Sequence, residues 1–452
     1  MAAEGVLLTD FYTANPLCSP SRAALLTGRL PIRNGFYTSN NHSRNGYTPQ
    51  EIVGGIQDSE VLIPELLAQA GYRNKIVGKW HLGHHEQYLP LRHGFHEWFG
   101  SPNCHFGPYD NVQRPNIAFF RDDHMIGRYA ISEAVDFIEK QTAQRQPFFL
   151  YWAPDASHGP VYSSEVFRGR SQRGPYGDAV MELDYAVGVI LETLRRTGAE
   201  NNTFVFFTSD NGAALVSKTE GEYPNGPFLC GKQTTFEGGL REPAIAWWPG
   251  TIPAGKQVSG VAATVLDLLP TLCDLAGVAL PPHVVLDGAS MTHLLLAESS
   301  LSGRRLQRNR PVFYYRGNEL MAVRHGLYKA HFWTWTNSLE EFQQGDDFCP
   351  GVAVNNVTSH EQINHTASPV LFHLGRDPGE KYPVWPKSAE YRESMASILG
   401  IYREHRASLI PGKPQLDWCD AAVMHWAPPG CEKLGRCLRK PPSRPYLCDW
   451  PH

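Results

Sequence analysis

Short, densely apolar runs recur through the first two-thirds of this sequence, and helix-patterned stretches separate them. Lys75-Ile76-Val77-Gly78-Lys79, Pro147-Phe148-Phe149-Leu150-Tyr151-Trp152, Thr203-Phe204-Val205-Phe206-Phe207 and Ala244-Ile245-Ala246-Trp247-Trp248 read as buried strands. Val6-Leu7-Leu8 reads as a shorter one ahead of them. Ile63 to Ala70, Ala130 to Gln141, Tyr176 to Arg196 and Val265 to Ala276 carry helical spacing, the last despite Pro270. Buried strands alternating with helices argue for an α/β fold, a mixed sheet flanked by helices, over residues 1–309. Past Arg310 the pattern changes to strands joined by short turns (Val312–Tyr315, Met321–Val323, Tyr328–Trp333 and Val370–Leu374), then a helix from Ser388 to Leu409. This predicts a smaller antiparallel α+β domain over 310–411, followed by an irregular Pro/Cys-rich tail over 412–452.

Bulk properties narrow the class. With 452 residues, 42% hydrophobic and 19% charged, the chain is an ordinary globular protein large enough for two domains. No apolar run reaches bilayer-spanning length, and Met1-Ala2-Ala3-Glu4-Gly5 has neither the basic nor the apolar region of a signal peptide. The nine Cys point to an oxidising compartment instead. Four of them, Cys419, Cys431, Cys437 and Cys448, crowd the tail. Their spacing lacks paired Cys-x-x-Cys knuckles, so two disulfides are a better reading than a zinc site. Asn-x-Ser/Thr triplets at Asn41, Asn201, Asn356 and Asn364 agree with that compartment. Together these features suggest that the chain begins inside a longer precursor. The formal charge is −4 with all 19 His neutral, so full protonation in an acidic lumen would give −4 + 19 = +15 and suit a polyanionic substrate. Solvent-facing imidazoles with no shared role are the alternative.

The richest stretch chemically is Cys18-Ser19-Pro20-Ser21-Arg22-Ala23-Ala24-Leu25-Leu26-Thr27-Gly28-Arg29. It reads as a helix capped by Ser19, with Pro20 at the first helical position and Gly28 closing the last turn. Cys18 then lies just outside a helix N-terminus, where free N–H groups attract anions, and Arg22 shares its face. A thiol, an anion-binding helix end and a guanidinium converge.

Four further groups carry chemistry. Lys79 and His81, two apart on an extended segment in Gly78-Lys79-Trp80-His81-Leu82-Gly83, point to one side, as an anion holder and a proton handler would. Asp210-Asn211-Gly212 follows the Phe-rich strand and offers hard oxygen ligands for Ca²⁺ or Mg²⁺, although an ordinary Asx turn uses the same residues. His158 lies beyond the strand ending at Trp152. Lys232 sits in a glycine-rich segment, Cys230 to Gly239, that lacks the spacing of a phosphate-binding loop.

Taken together, these motifs resemble the type I, formylglycine-dependent sulfatases. The signature Cys-x-Pro-Ser-Arg-x-x-x-Leu-Thr-Gly-Arg matches at every fixed position, and Gly-Lys-Trp-His-Leu-Gly, Asp-Asn-Gly and Gly-Lys-x-Thr-x-x-Glu-Gly-Gly follow in order. The resemblance implies an alkaline-phosphatase-like fold and a sulfuric ester hydrolase. In it Cys18 is oxidised to formylglycine, whose hydrated aldehyde attacks sulfur. Arg22, Lys79 and Lys232 gather around the sulfate, His81 contacts the formylglycine hydroxyl and His158 protonates the departing sugar oxygen. Ca²⁺ is held by Asp210, Asn211 and the modified Cys18, and Tyr47 touches the sugar. Disulfides Cys230–Cys349, Cys419–Cys448 and Cys431–Cys437 are implied as well.

Segments such as Gly35–Thr38, Ser101–Asp110, Phe332–Asn337 and Trp426–Cys431 are most similar to lysosomal members. Those members remove 6-sulfate from galactose and N-acetylgalactosamine units of keratan and chondroitin sulfate. They are homodimers matured by the formylglycine-generating enzyme. An arylsulfatase of another substrate, a non-catalytic glycan-binding form and a phosphatase of the same fold are the alternatives. One departure stands out. The family carries an Asp-Asp pair on a strand well upstream of the signature Cys, supplying two calcium ligands. Only 17 residues precede Cys18, and their carboxylates, Glu4 and Asp10, lie outside such a strand. A cation held by Asp210, Asn211 and the modified residue alone would bind weakly, and loss of a central strand would expose two sheet edges.

Overall fold

The computed structural model of the protein describes residues 1–40, 51–103, 120–125, 132–159, 161–215, 225–296, 305–351, 353–424, 430–431, 437 and 439–448. Its N-terminal strands are β1 (Val6–Tyr12), β2 (Arg73–Lys79), β3 (Glu97–Ser101), β4 (Phe120–Arg121), β5 (His124–Met125), β6 (Phe148–Ala153), β7 (Val205–Thr208), β8 (Arg241–Trp247), β9 (Lys256–Val258) and β10 (Ala263–Thr264). The mixed α/β character expected from the sequence is present, divided between two sheets. One runs β10-β1-β8-β7 with β9 also on β1; the other runs β5-β4-β3-β2-β6. Strand β2 pairs in parallel with both β3 and β6, whereas β8 is antiparallel to both β1 and β7.

Strands β6 and β7 are the last of their sheets, each hydrogen-bonded on one side among the described residues. Both are densely apolar, yet Phe148 to Trp152 and Val205 to Thr208 are only half-buried. Phe148 and Leu150 of β6 share an apolar cluster with Val205 of β7, Ile138, Leu191, Leu194 and Trp247. The two open edges therefore border one cluster.

Strand β1 is longer than the Val6-Leu7-Leu8 expectation and takes in Asp10. It carries one carboxylate, Asp10, between Thr9 and Phe11, and no Asp-Asp pair. Its backbone register shifts between Leu8 and Phe11, and its carboxylate accepts from Arg324 Nη2 at 3.0 Å and Gly260 N at 3.0 Å. An alternating pattern could not reveal this, because the irregularity breaks the period of two.

The main helices are α1 (Cys18–Thr27), α2 (Ile63–Gln69), α3 (Ser132–Ala143), α4 (Gly174–Arg196), α5 (Glu237–Leu240), α6 (Leu268–Ala276) and α7 (Ala389–Ser408). In α2 the Glu65 carboxylate accepts from the Leu62 N–H at 2.7 Å. Pro270 is tolerated because it falls in the first turn of α6, where its missing N–H has no intrahelical role. Ser388 caps α7 by accepting from Tyr391 N at 3.0 Å.

Four antiparallel strands, β11 (Val312–Arg316), β12 (Glu319–His325), β13 (Tyr328–His331) and β14 (Val370–His373), form a separate sheet in that order. Helix α7 lies against it through Met395, Ile398 and Tyr402, the last stacked on Phe332 at 3.9 Å. The same apolar cluster reaches Leu8 and Phe11 of β1, so one core spans both regions. In the tail, Trp418–Cys419 pairs with Tyr446–Leu447. Disulfides join Cys230 to Cys349, Cys419 to Cys448 and Cys431 to Cys437, which leaves no tail thiol for zinc. No helix among the described residues is long and apolar enough to cross a membrane.

The +15 charge expected on full protonation is not reached in a mildly acidic medium. Burial holds His81 down to about 3, and His84 and His405 down to about 4. His405 stacks on Phe313 at 3.7 Å, and its Nε2 lies within hydrogen-bond reach of the Tyr315 hydroxyl at 2.7 Å. Arg33 adds a second, smaller push in the same direction. Because the folded value lies below the unfolded one, this stabilisation is complete above about pH 6.5. It is lost as the pH falls toward about 4. After allowance for solvent screening this is about 2 kcal/mol. Urea midpoints measured from pH 7 to pH 4 should fall less steeply for His405→Phe than for the parent; equal slopes would refute it.

Candidate active site

Six of the predicted residues lie at or beyond the C-terminal ends of strands. Cys18 comes after β1, Lys79 ends β2 with His81 two residues on, His158 follows β6, and Asp210 with Asn211 follows β7. Lys232 arrives from the loop before α5. Gly78 explains part of this convergence: a Cβ there would meet the Ala153 carbonyl oxygen at 2.0 Å, so glycine lets β2 lie tightly against β6.

Cys18 is the first residue of α1, not the residue outside it. Leu17, extended at φ −135°, holds the cap position that the sequence reading gave to Ser19. Leu17 has no side-chain oxygen to cap with, so the reading favoured the nearest hydroxyl. Gly28 closes the helix as expected, at φ 65° with its N–H on Ala24 O. The Cys18 thiol is buried, with Lys232 Nζ at 3.3 Å from its sulfur. Lys232 Nζ also lies 3.1 Å from His158 Nε2. His158 Nδ1 is 2.7 Å from the Gly159 carbonyl, which can only accept. The proton therefore sits on Nδ1, and Nε2 is the acceptor facing Lys232.

Arg22 is buried and held on two sides. Its Nε and Nη2 reach Asp210 Oδ2 at 2.8 and 2.7 Å, and Nη1 donates to Lys79 O at 2.9 Å. Burial works against its charge, but Tyr151, Asp210 and Cys18 together raise its pKa.

Lys79 and His81 do not share an extended segment. Strand β2 stops at Lys79, and His81 is in the left-handed region at φ 61°. The period-two argument fails there because backbone curvature, not pleat, aims the imidazole. His81 nevertheless reaches the site. Burial is the main cause of its low pKa, the Lys79 charge adds to it, and the nearby Cys18 sulfur opposes both. The structure thus brings Cys18, Arg22, Lys79, His81, His158, Asp210 and Lys232 together; Tyr47 lies outside the described residues.

Sequence reasoning missed three neighbours. Tyr151 places its hydroxyl 3.5 Å from Arg22 Nη1. Thr13 donates to the Asp210 carbonyl at 2.7 Å, fixing the loop that presents the carboxylate. Glu242 is buried on β8, and burial followed by Asp210 raises its pKa well above the carboxylate range. Only the last had a readable signal, a carboxylate inside a strand pattern.

The donor set for a cation is short. Asn211 Oδ1 is buried without a partner among the described residues, a fitting oxygen donor. The Asp210 carboxylate, however, is engaged by Arg22, and no group of three His, Cys, Asp or Glu among the described residues could hold a metal. Calcium takes six to eight oxygens. The residues present do not complete such a site.

Comparison with known proteins bears directly on this arrangement. The family model described as Sulfatase matches residues 1–278, and the C-terminal region of aryl-sulfatase matches 307–439. Proteins named N-acetylgalactosamine-6-sulfatase from Canis lupus familiaris and Homo sapiens are 60% and 59% identical over 100% of this chain and 88% of theirs. Arylsulfatase A from Homo sapiens is 39% identical over 98% of the chain and 89% of its own length. Among solved structures, the PsFucS1 sulfatase from Pseudoalteromonas sp. superposes with TM-score 0.72 at 27% identity, covering 90% of this chain and 83% of that one. The phosphonate monoester hydrolase of Agrobacterium radiobacter, at 17% identity and TM-score 0.55, shares the fold, with 90% and 89% covered. Members of this family rely on a formylglycine and a divalent cation. With its characteristic segments gathered around one buried cysteine and the match running the length of both regions, the chain belongs to the sulfatase family of hydrolases.

Proposed function

We propose that this chain hydrolyses 6-sulfate esters of N-acetylgalactosamine and galactose units, as in chondroitin and keratan sulfate, at a site centred on Cys18. The relatives at 59–60% identity support the substrate class. The observation that carries the chemistry is Lys232 Nζ, 3.3 Å from the Cys18 sulfur and 3.1 Å from His158 Nε2. A cation there can hold a sulfate oxygen between a nucleophile position and a proton donor for the leaving group.

Sulfate ester hydrolysis, like phosphoryl transfer, is mostly positioning and charge neutralisation. Oxidised to formylglycine, Cys18 would supply a hydrated aldehyde as the nucleophile at the head of α1. The ammonium groups of Lys79 and Lys232 neutralise the sulfate oxygens. Arg22 keeps its fork on Asp210 and ties the Lys79 carbonyl, so it holds the geometry as well as adding charge. His158, with its Nδ1 proton held on Gly159 O, turns Nε2 toward the bridging oxygen; a second proton taken up at Nε2, giving the imidazolium, would pass to the departing sugar. His81, neutral and against Cys18, can take a proton from the group at that position. The three disulfides support an oxidising route through the formylglycine-generating enzyme to the lysosome, with a homodimer as the working form by the same likeness.

A second reading, sulfated-glycan binding without turnover, is favoured by the Arg22–Asp210 pair, which occupies the carboxylate a cation would need. Two measurements decide. Mass spectrometry of the Cys18 peptide should show the aldehyde, and a galactose-6-sulfate aryl glycoside should be cleaved while an aryl phosphate is not. An intact thiol with retained glycan binding would establish the second reading; cleavage of the phosphate would overturn both.

A further inference from the structure

The loop that delivers Lys232 is closed on itself and clamped from outside. Gly238 N donates to Leu229 O at 3.0 Å, and Asn225 Nδ2 bridges the Cys230 and Gly238 carbonyls at 2.5 and 2.8 Å. Lys232 N donates to Ala213 O at 2.9 Å and Gln233 N to Pro16 O at 2.9 Å. Distortion near Gly238 is therefore transmitted to Lys232 through a small ring of backbone bonds.

The outside clamp comes from the C-terminal sheet and the turn after it. Cys230 is bonded to Cys349, and Phe236 packs with Phe372, Leu374 and the His331 ring. The third contact is ionic and wholly buried. Glu380 Oε2 accepts from the Glu237 backbone N–H at 2.6 Å. Lys329 Nζ sits between Glu237 Oε1 at 3.1 Å and Glu380 Oε1 at 3.0 Å, and Glu380 Oε1 is 2.7 Å from His331 Nε2. Glu237 Oε2 takes a further hydrogen bond from Tyr12 at 2.7 Å, and Arg324 donates to Tyr12 and to Asp10. With Arg241 near both Asp10 and Glu237, three carboxylates face three cations and the charges balance.

Glu380 is held in this place at a conformational cost. Its φ is +50°, a region unfavourable for a side chain of this kind, and a Cβ on the preceding Gly379 would meet Pro227 O at 2.5 Å. A strained, fully buried carboxylate that seals the first N–H of α5 is more than filler. The Gly238–Gly239 pair explains why it must act from the far side. Gly212 N donates to Gly239 O at 3.1 Å, and a Cβ on Gly212 would strike Gly238 O at 1.9 Å, so no side chain fits on the inner face.

We propose that Glu380, with Lys329, is a positioning residue for Lys232: the C-terminal region sets the sulfate-binding ammonium against Cys18 by locking the Glu237 end of its loop. This rests on the reading of Lys232 as a sulfate-holding group. Breaking a buried charge network from one side leaves a partner uncompensated, and the loop gives way first because it is the irregular element.

The test is a double-mutant cycle read out as affinity for inorganic sulfate, by calorimetry on the full chain. Glu380→Gln should raise the sulfate Kd about tenfold, a loss in the range of one charge-assisted hydrogen bond. Lys232→Met should raise it at least as much, and adding Glu380→Gln to Lys232→Met should change nothing further. If the two effects multiply, Glu380 acts on the fold at large and the proposal fails. If Lys232→Met alone leaves sulfate affinity intact, the reading of Lys232 is what fails. Lys329→Met/Glu380→Gln, which removes a charge of each sign, guards against misfolding of the single variant: a melting temperature near the parent's with sulfate affinity still reduced supports the proposal, and parent-like affinity overturns it.

Discussion

Lys232→Met should lower kcat/KM on a 6-sulfated galactoside by about 10²- to 10³-fold, the range seen when one preorganised electrostatic group is removed, while leaving the melting temperature nearly unchanged. Two features separate the effects. Methionine keeps the length and most of the volume of lysine, and the backbone bonds that fix this residue, Lys232 N to Ala213 O and Gln233 N to Pro16 O, do not involve the side chain. The ammonium contacts only Cys18 and His158 among the hydrogen bonds seen for it, so the fold loses little and the site loses the charge between its two reacting positions. Lys232→Arg should recover less than a tenth of the lost activity. A planar fork cannot replace a compact ammonium wedged between a sulfur and an imidazole. Steady-state kinetics on the three proteins, beside thermal melts, checks both statements. A variant that melts early and loses activity in proportion would move Lys232 from the chemistry to the scaffold.

What could be read in the sequence was whatever is local in the chain. The Cys18-to-Gly28 helix is written within a dozen consecutive residues, and the Gly28 closure at φ 65° is where its lack of a side chain requires it. Apolar runs pointed to β1, β2, β6, β7 and β8, whereas the short strands β3, β4, β5, β9 and β10, of two to five residues, are too brief to stand out. The other misses share one physical cause, dependence on tertiary partners. The cap at Leu17 has no side-chain signal. His81 turns left-handed at the end of β2, so its aim was unavailable to a period-two argument. Arg22 meets Asp210 across 188 residues, and Glu237 meets Glu380 across 143, separations at which spacing carries no information. Functional residues came into view only because each lies in a short motif; their supports, Tyr151, Thr13 and Glu380, lie in none.

Backbone amides on the unpaired sides of β6 and β7 should exchange with solvent about 10³-fold or more faster than those of β2 and β8, which are paired on both sides. Composition alone would suggest the reverse, since β6 and β7 are among the most apolar stretches of the chain. The pairing decides it: β6 bonds only to β2 and β7 only to β8 among the described residues, and their side chains are half-buried. Every second N–H along each edge then points away from its ladder in the plane of the sheet, with no strand partner among the described residues. Hydrogen–deuterium exchange of peptides covering 148–153 and 205–208 measures this. Uniform protection across both edges would mean that another strand lies along them, and the division into two sheets would be wrong. The consequence reaches the site, because β6 leads to His158 and β7 to Asp210. If the edges breathe, inorganic sulfate bound by Lys232 and its neighbours should slow exchange at 148–153 and 205–208, since a ligand that needs both strand ends in place stabilises the closed arrangement by its own binding free energy. Sulfate that protects α1 but leaves both edges unchanged would show that the strand ends are rigid without help and that open edges leave the site's geometry untouched.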